Sequence, residues 1–252
     1  MENGQKLTKK EKKELRKLEW QETAKKQERN AKIKKYSIWA GSVAIILVVV
    51  FGLIQIINSS SSTPGSEVIK VAPVTAKDIT KGNSKSKVVL IEYSDFQCPA
   101  CAEYHPLVNQ LLADYSGKIL FVYRMFPLTN IHPNSHISAQ AAYAALKQGK
   151  FFEMSDLLFG NQTDWAEQSD PTGIFTDYAR KLNLNLSKFQ TEMNSSEARN
   201  YVNNSETEAI SEGMNETPTF ILDGVKITNP QNIEGFKKLI DQELKKYEPK
   251  TK

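Results

Sequence analysis

The chain has 252 residues, 40% of them hydrophobic and 25% charged, which is enough for one domain of ordinary size once an atypical N-terminal region is set aside. Its formal net charge of +4 is unevenly spread: residues 1–36 carry 13 Lys and Arg against 6 Glu, residues 37–57 carry no charge, and the remainder is net −3. The basic balance belongs to the tail and gives no argument for nucleic-acid binding by the folded part.

Residues 1–36 are rich in Lys, Glu, Gln and Ala with sparse apolar positions, a helix-prone and mostly solvated tail. The uncharged run 37–57 is long enough to span a bilayer as one helix, and Tyr36 and Trp39 sit where interfacial aromatics would. The basic excess before it predicts a cytoplasmic N-terminus and an extracytoplasmic C-terminal domain in a single-pass cell-membrane protein. The apolar run is too long, and the preceding segment too large, for an ordinary signal peptide, so an uncleaved anchor is favoured; cleavage within 58–62 stays open. Residues 58–78 read as a Ser/Thr/Pro/Gly linker with a short edge strand over 68–74, and 78–83 as a turn.

A strand over 87–94 is apolar on both faces at Val88-Val89-Leu90-Ile91, which predicts a central strand covered on both sides. Glu92 falls inside it. A buried carboxyl is costly unless hydrogen-bonded or neutral, so its pKa should rise; a strand-end carboxylate that reaches water is the alternative. The strand runs into Phe96-Gln97-Cys98-Pro99-Ala100-Cys101, which holds the only two cysteines of the sequence, and a helix runs out to about residue 115. Cys98 is thereby placed at a helix N-terminus, where unpaired N–H groups and the helix dipole favour a thiolate. Pro99 suits the first helical turn. Half of a zinc site is an alternative, with His105, His132 and His136 as the remaining candidates, but their spacing fits no zinc-finger pattern. A purely structural disulfide is another, although so short a loop would constrain the unfolded chain little. Redox chemistry is favoured over both.

Downstream, 118–126 is a second strong strand, so that strand, helix and strand form a right-handed parallel crossover. Helical stretches follow over 138–147, 151–159, 172–182, 186–193 and 195–211. Residues 217–227 read as a hairpin turning at Asp223-Gly224, with Pro218 at its entrance, and 233–246 as an amphipathic helix.

A strand entering Cys-Pro-x-Cys, a strand, a helical block, and Thr217-Pro218 before a hairpin and final helix resemble the DsbA-like family of the thioredoxin superfamily, in its membrane-anchored Gram-positive type. The most specific parts are residues 93–101 and Glu216-Thr217-Pro218-Thr219-Phe220; His132-Pro133 and residues 148–152 look like the family's helical insertion. The resemblance implies an α/β thioredoxin fold over 79–248 with a helical insertion at about 133–212, preceded by the transmembrane helix. It further implies a thiol–disulfide oxidoreductase with Cys98 as nucleophile, Cys101 as resolving thiol and Glu92 as the buried acid serving Cys101. Pro218 would be a cis-proline beside the disulfide and Thr217 a substrate contact. No metal or organic cofactor would be needed. The expected partners are unfolded or reduced exported proteins and a membrane quinone-linked thiol oxidase or equivalent. The expected activity is a dithiol oxidase, milder than the strongest family members because Pro99-Ala100 lacks a histidine between the cysteines. A reductase or isomerase, and a non-catalytic binding module, remain alternatives.

Overall fold

The computed structural model describes Trp20, Glu67–Val68 and residues 71–248. The chain divides into two compact units, Met1–Thr63 and Pro64–Lys252, and the architecture below is that of the second. The expected tail over 1–36 (apart from Trp20), the span over 37–57 and residues 58–66 of the linker lie outside the described residues. Among the described residues no helix is long and apolar enough to cross a membrane.

Six strands form one sheet: β1 (Glu67–Val68), β2 (Ile79–Gly82), β3 (Val89–Ser94), β4 (Leu120–Met125), β5 (Thr219–Leu222) and β6 (Val225–Lys226), in the order β1-β6-β5-β3-β4-β2. β3 is parallel to β4 and antiparallel to β5, and helix α1 (Pro99–Asp114) makes the crossover between β3 and β4. Between β4 and β5 the chain inserts α2 (Ser135–Leu146), α3 (Phe151–Gly160), α4 (Gln162–Trp165), α5 (Thr172–Lys181), α6 (Leu186–Met193) and α7 (Ser196–Ser211). Helix α8 (Ile233–Lys245) closes the fold.

Alternation along the central strands sends side chains to two cores. Leu90, Phe121, Tyr123, Phe220 and Leu222 join one core with Leu111 of α1 and Phe236 of α8. Ile91, Tyr93, Val122 and Ile221 join the other, with Ala209 and Met214. Residues such as Leu90, Ile221 and Phe220 are fully buried, and each contributes about 1.5–3 kcal/mol by leaving water.

Two local expectations give way to tertiary pairing. Residues 78–83 read as a turn, yet Ile79–Gly82 is an edge strand antiparallel to β4. Only Ile79 is buried there, so the strand owes its existence to β4 and not to its own composition. Gly82 ends it at φ +103, and a Cβ at that position would meet the Ile119 carbonyl oxygen at 2.5 Å. The linker read as 58–78 also ends earlier than composition suggests. β1 pairs with β6, and Val71 and Val74 pack on the second core. Of the strand expected over 68–74, the described residues hold Glu67–Val68 as strand, and 71–74 are not strand. The hairpin turns at Asp223 (φ 48) and Gly224 (φ 82), both in the left-handed region that a two-residue hairpin loop requires. Pro218 stands just before β5, where its missing N–H costs no ladder bond.

Candidate functional site

The site forms where β3 ends and α1 begins. After Ser94 the chain turns through Asp95-Phe96-Gln97, and the Cys98 N–H donates to the Asp95 carbonyl at 3.1 Å. Cys98 is the N-cap of α1 in extended conformation, with Pro99 as the first helical residue. Phe96 anchors the turn: it stacks on Tyr123 at 5.4 Å between ring centres and tilts against Phe159 at 5.0 Å. The Gln162 side-chain amide of α4, a short helix with no clear periodic signal, donates to the carbonyls of Phe96 (2.8 Å) and Cys98 (3.0 Å).

Both cysteines are free thiols. Cys98 retains 6% exposure and Cys101 none. The Cys98 Sγ lies 3.4 Å from the Thr217 carbonyl oxygen, and the Thr217–Pro218 bond is cis. The Cys98 thiol is lowered to about 6, chiefly by the Cys101 thiol. Burial opposes this, Thr217 and the Cys101 backbone N–H support it, and the Asp95 charge works against it. Cys101 is pushed well above the usual thiol range by burial, then by the Cys98 sulfur and by Glu92. The two sulfurs are driven apart in acidity: one is primed as a thiolate, the other holds its proton.

Glu92 is 3% exposed in β3, in register with Tyr123 of β4 and Phe220 of β5. Burial raises its carboxyl to about 7; Ser94 lowers it somewhat and Cys98 raises it further. The structure thus brings Cys98, Cys101, Glu92 and the cis Thr217–Pro218 bond into one neighbourhood, with Glu92 coupled electrostatically to both sulfurs.

The three histidines part company. His105 contacts Asp156 at 2.7 Å, His132 contacts Asp95 at 2.6 Å and His136 contacts Asn203 at 2.7 Å. No Cys2His2 set is assembled, and among the described residues no three His, Cys, Asp or Glu side chains gather around a point. Sequence reading missed Asp95, Gln97 and Asn134. Gln97 Nε2 donates to the Ala166 carbonyl and Gln97 Oε1 accepts the Asn134 N–H, tying the active turn to the start of α2. Polar residues at buried positions beside a redox pair were the available signal, but their partners lie too far along the chain to be guessed.

The opposite face of the sheet carries a second polar cluster. Arg124 Nε bonds Asp78 at 3.0 Å, Arg124 Nη1 bonds the Tyr93 hydroxyl at 2.7 Å and Arg124 Nη2 bonds the Ala72 carbonyl at 2.9 Å. Glu212 accepts from the Tyr93 hydroxyl and the Ala72 N–H and lies 3.6 Å from Arg124. A cavity of about 510 Å³ opens beside Tyr93, Arg124 and Tyr201; neither cysteine lines it.

Comparison with known proteins matches residues 74–242 to a thioredoxin family. A Na(+)/H(+) antiporter NhaA 3 from Salinispora tropica is 34% identical over 160 residues, which is 64% of this chain and 24% of the antiporter. NhaA 1 from Mycobacterium sp. is 32% identical over 156 residues, 61% of this chain and 25% of its own. The chain thus spans about a quarter of the length of the curated relatives it matches. Among solved structures, α-DsbA1 of Wolbachia pipientis superposes with a TM-score of 0.62 at 24% identity, covering 69% of this chain and 94% of that one. BdbD of Bacillus subtilis, in oxidised form, gives 0.63 at 18% identity, covering 70% and 98%. A thioredoxin-like oxidoreductase from Silicibacter pomeroyi gives 0.57 at 26% identity, covering 68% and 94%.

Proposed function

The chain belongs to the thioredoxin family, and on that premise we propose that it is a thiol–disulfide oxidoreductase working as a dithiol oxidase on exported proteins. The observation that carries this reading is the placement of Cys98 at the N-terminus of α1, with a lowered pKa, directly above a buried, basic Cys101. The fold shared with DsbA and BdbD structures is in keeping with it. Nothing is taken from the antiport named for the curated relatives, since the match covers about a quarter of each.

In the oxidised protein a client thiolate attacks the Cys98 sulfur. The Cys98–Cys101 bond breaks, a client–Cys98 bond forms, and Cys101 leaves as a thiolate. Because Cys101 is strongly basic, it takes a proton, and Glu92 beside it is the group poised to give one near neutral pH. A second client thiolate then attacks the client sulfur of the mixed disulfide and displaces Cys98, a good leaving group because its thiolate is stabilised. The client gains a disulfide and loses two electrons and two protons; the protein ends as the dithiol. The Thr217 carbonyl lies against the sulfur, and with the cis-linked Pro218 it would meet the client backbone. Return to the disulfide requires a second partner, for which a membrane quinone-linked thiol oxidase is proposed, with the 37–57 segment holding the domain at the outer face of the membrane.

Stabilising the Cys98 thiolate stabilises the reduced form and makes the disulfide more oxidising. The reduction potential is therefore expected above that of thioredoxin, about −270 mV, with each 30 mV adding roughly 1.4 kcal/mol toward client oxidation. Titration against glutathione buffers measures it, and a value at or below that of thioredoxin moves the reading to a reductase. An insulin-reduction assay on the chain and on Cys98→Ser separates both redox readings from a binding module, which would show no Cys98-dependent turnover.

A further inference from the structure

One buried carboxylate joins the active turn to a second loop. The side chain of Asp95 is fully buried. Its Oδ1 accepts the Gln97 N–H at 2.8 Å, and its Oδ2 accepts the Leu128 N–H at 2.9 Å and contacts His132 Nδ1 at 2.6 Å. An ionised carboxylate only accepts, so the donor of the His132 contact is assigned to Nδ1. His132 is held in turn: its N–H donates to the Leu128 carbonyl at 2.9 Å, and the Ser135 hydroxyl donates to the His132 carbonyl at 2.8 Å. The Asp95 carbonyl also receives the Cys98 N–H. Three donors on one carboxylate, drawn from two loops, leave no unsatisfied buried charge and fix the turn that carries the nucleophile.

We infer that His132, acting through Asp95, is a positioning residue that holds the Cys98 turn and sets the negative charge its sulfur faces. This rests on the reading of Cys98 as the sulfur through which clients exchange. The titratable groups facing Asp95 are Cys98 and Cys101 of the α1 start, Tyr123 of β4 and His132 of the loop after β4, while Cys101 and Glu92 of β3 act on the same Cys98 sulfur. Asp95 opposes the Cys98 thiolate, and the His132 N–H draws that charge away from the sulfur. Removing the donor and removing the charge should therefore move Cys98 in opposite directions. A role in stability alone would move both variants the same way.

The test is the rate at which iodoacetamide alkylates Cys98 in the reduced full-length chain near pH 6, read by peptide mass. His132→Ala is expected to be about threefold slower than the parent, since fewer sulfurs are thiolate. His132→Asn, whose amide can replace the Nδ1–H donor, is expected to stay near the parent rate. Asp95→Asn is expected to be faster. Should His132→Ala fail to fold, the contrast between His132→Asn at the parent rate and Asp95→Asn above it decides the matter. An unchanged His132→Ala, a His132→Asn as slow as the alanine variant, or an Asp95→Asn that slows alkylation overturns the inference. Alkylation needs no redox partner or client, so a parent chain without insulin-reducing activity would remove the proposed function while leaving this comparison readable.

Discussion

The Cys98 sulfur lies 3.4 Å from the carbonyl oxygen of Thr217, a residue 119 positions further along the chain. The N-terminus of α1 and the entrance to β5 thus share one point, and that point holds the only cysteine with any exposed surface. Thr217 borders the Cys98 sulfur, while Cys101 is closed to solvent.

That difference in access predicts which cysteine traps clients. Cys101→Ala should accumulate mixed disulfides with client proteins: its Cys98 thiolate can attack the disulfide of an oxidised client, displacing one client sulfur as a thiolate, and no Cys101 remains to attack Cys98 and release the bound client. Cys98→Ala should accumulate none. Non-reducing gels of cells expressing each variant give the answer, and equal trapping by both would contradict the assignment.

Glu92 gives a pH dependence of stability. Its carboxyl titrates near 7 in the folded chain against 4.5 when unfolded. Between those values the unfolded chain loses the proton and the folded chain keeps it, so stability falls as pH rises through the window and levels off above it. The drop is about 3 kcal/mol. Cys98 works the other way and higher up: its folded value of about 6 lies below 9.0, so its contribution is present above pH 9 and lost as pH falls toward 6. Urea unfolding of the reduced chain should show the low-pH slope, and Glu92→Gln should abolish it. A parent chain flat between pH 4.5 and 7 would sink this prediction.

Among the described residues, Arg124 is the cation of a half-buried cluster with Asp78 and Glu212. Arg124→Leu leaves two partly solvated carboxylates without a countercharge and should cost about 2–3 kcal/mol, between a surface pair and a fully buried one. Adding Glu212→Gln should restore part of the loss, since one of the stranded charges is then gone. Equilibrium unfolding of both variants checks this. A loss under about 1 kcal/mol would show that water screens the cluster as it does a surface pair.

The charge asymmetry of the N-terminal region predicts topology. With a net +7 over residues 1–36 followed by the uncharged 37–57 run, the C-terminal domain is expected outside the cell. Protease added to spheroplasts should digest the domain and spare the tail. A protected domain would overturn this and, with it, the expectation of exported clients.

The sequence by itself determined the elements whose signals are local. Apolar runs marked β3 and β4, helical periodicity marked most of the inserted helices and α8, and Asp223-Gly224 marked the hairpin. Cys98-Pro99-Ala100-Cys101 declared its position at a helix start because capping and proline preference act within one turn. The family resemblance already set Thr217 and Pro218 beside Cys98, whereas the bringing together of Asp95 with His132, and of Arg124 with Asp78 and Glu212, was decided by the tertiary structure. So was the conversion of Ile79–Gly82 from turn to edge strand. A hydrophobic residue needs only to face a core, and its spacing records which face that is. A buried polar group needs one particular partner, and nothing in the residues around Asp95 or Arg124 states where along the chain that partner stands until the crossover and the helical insertion have set the distances.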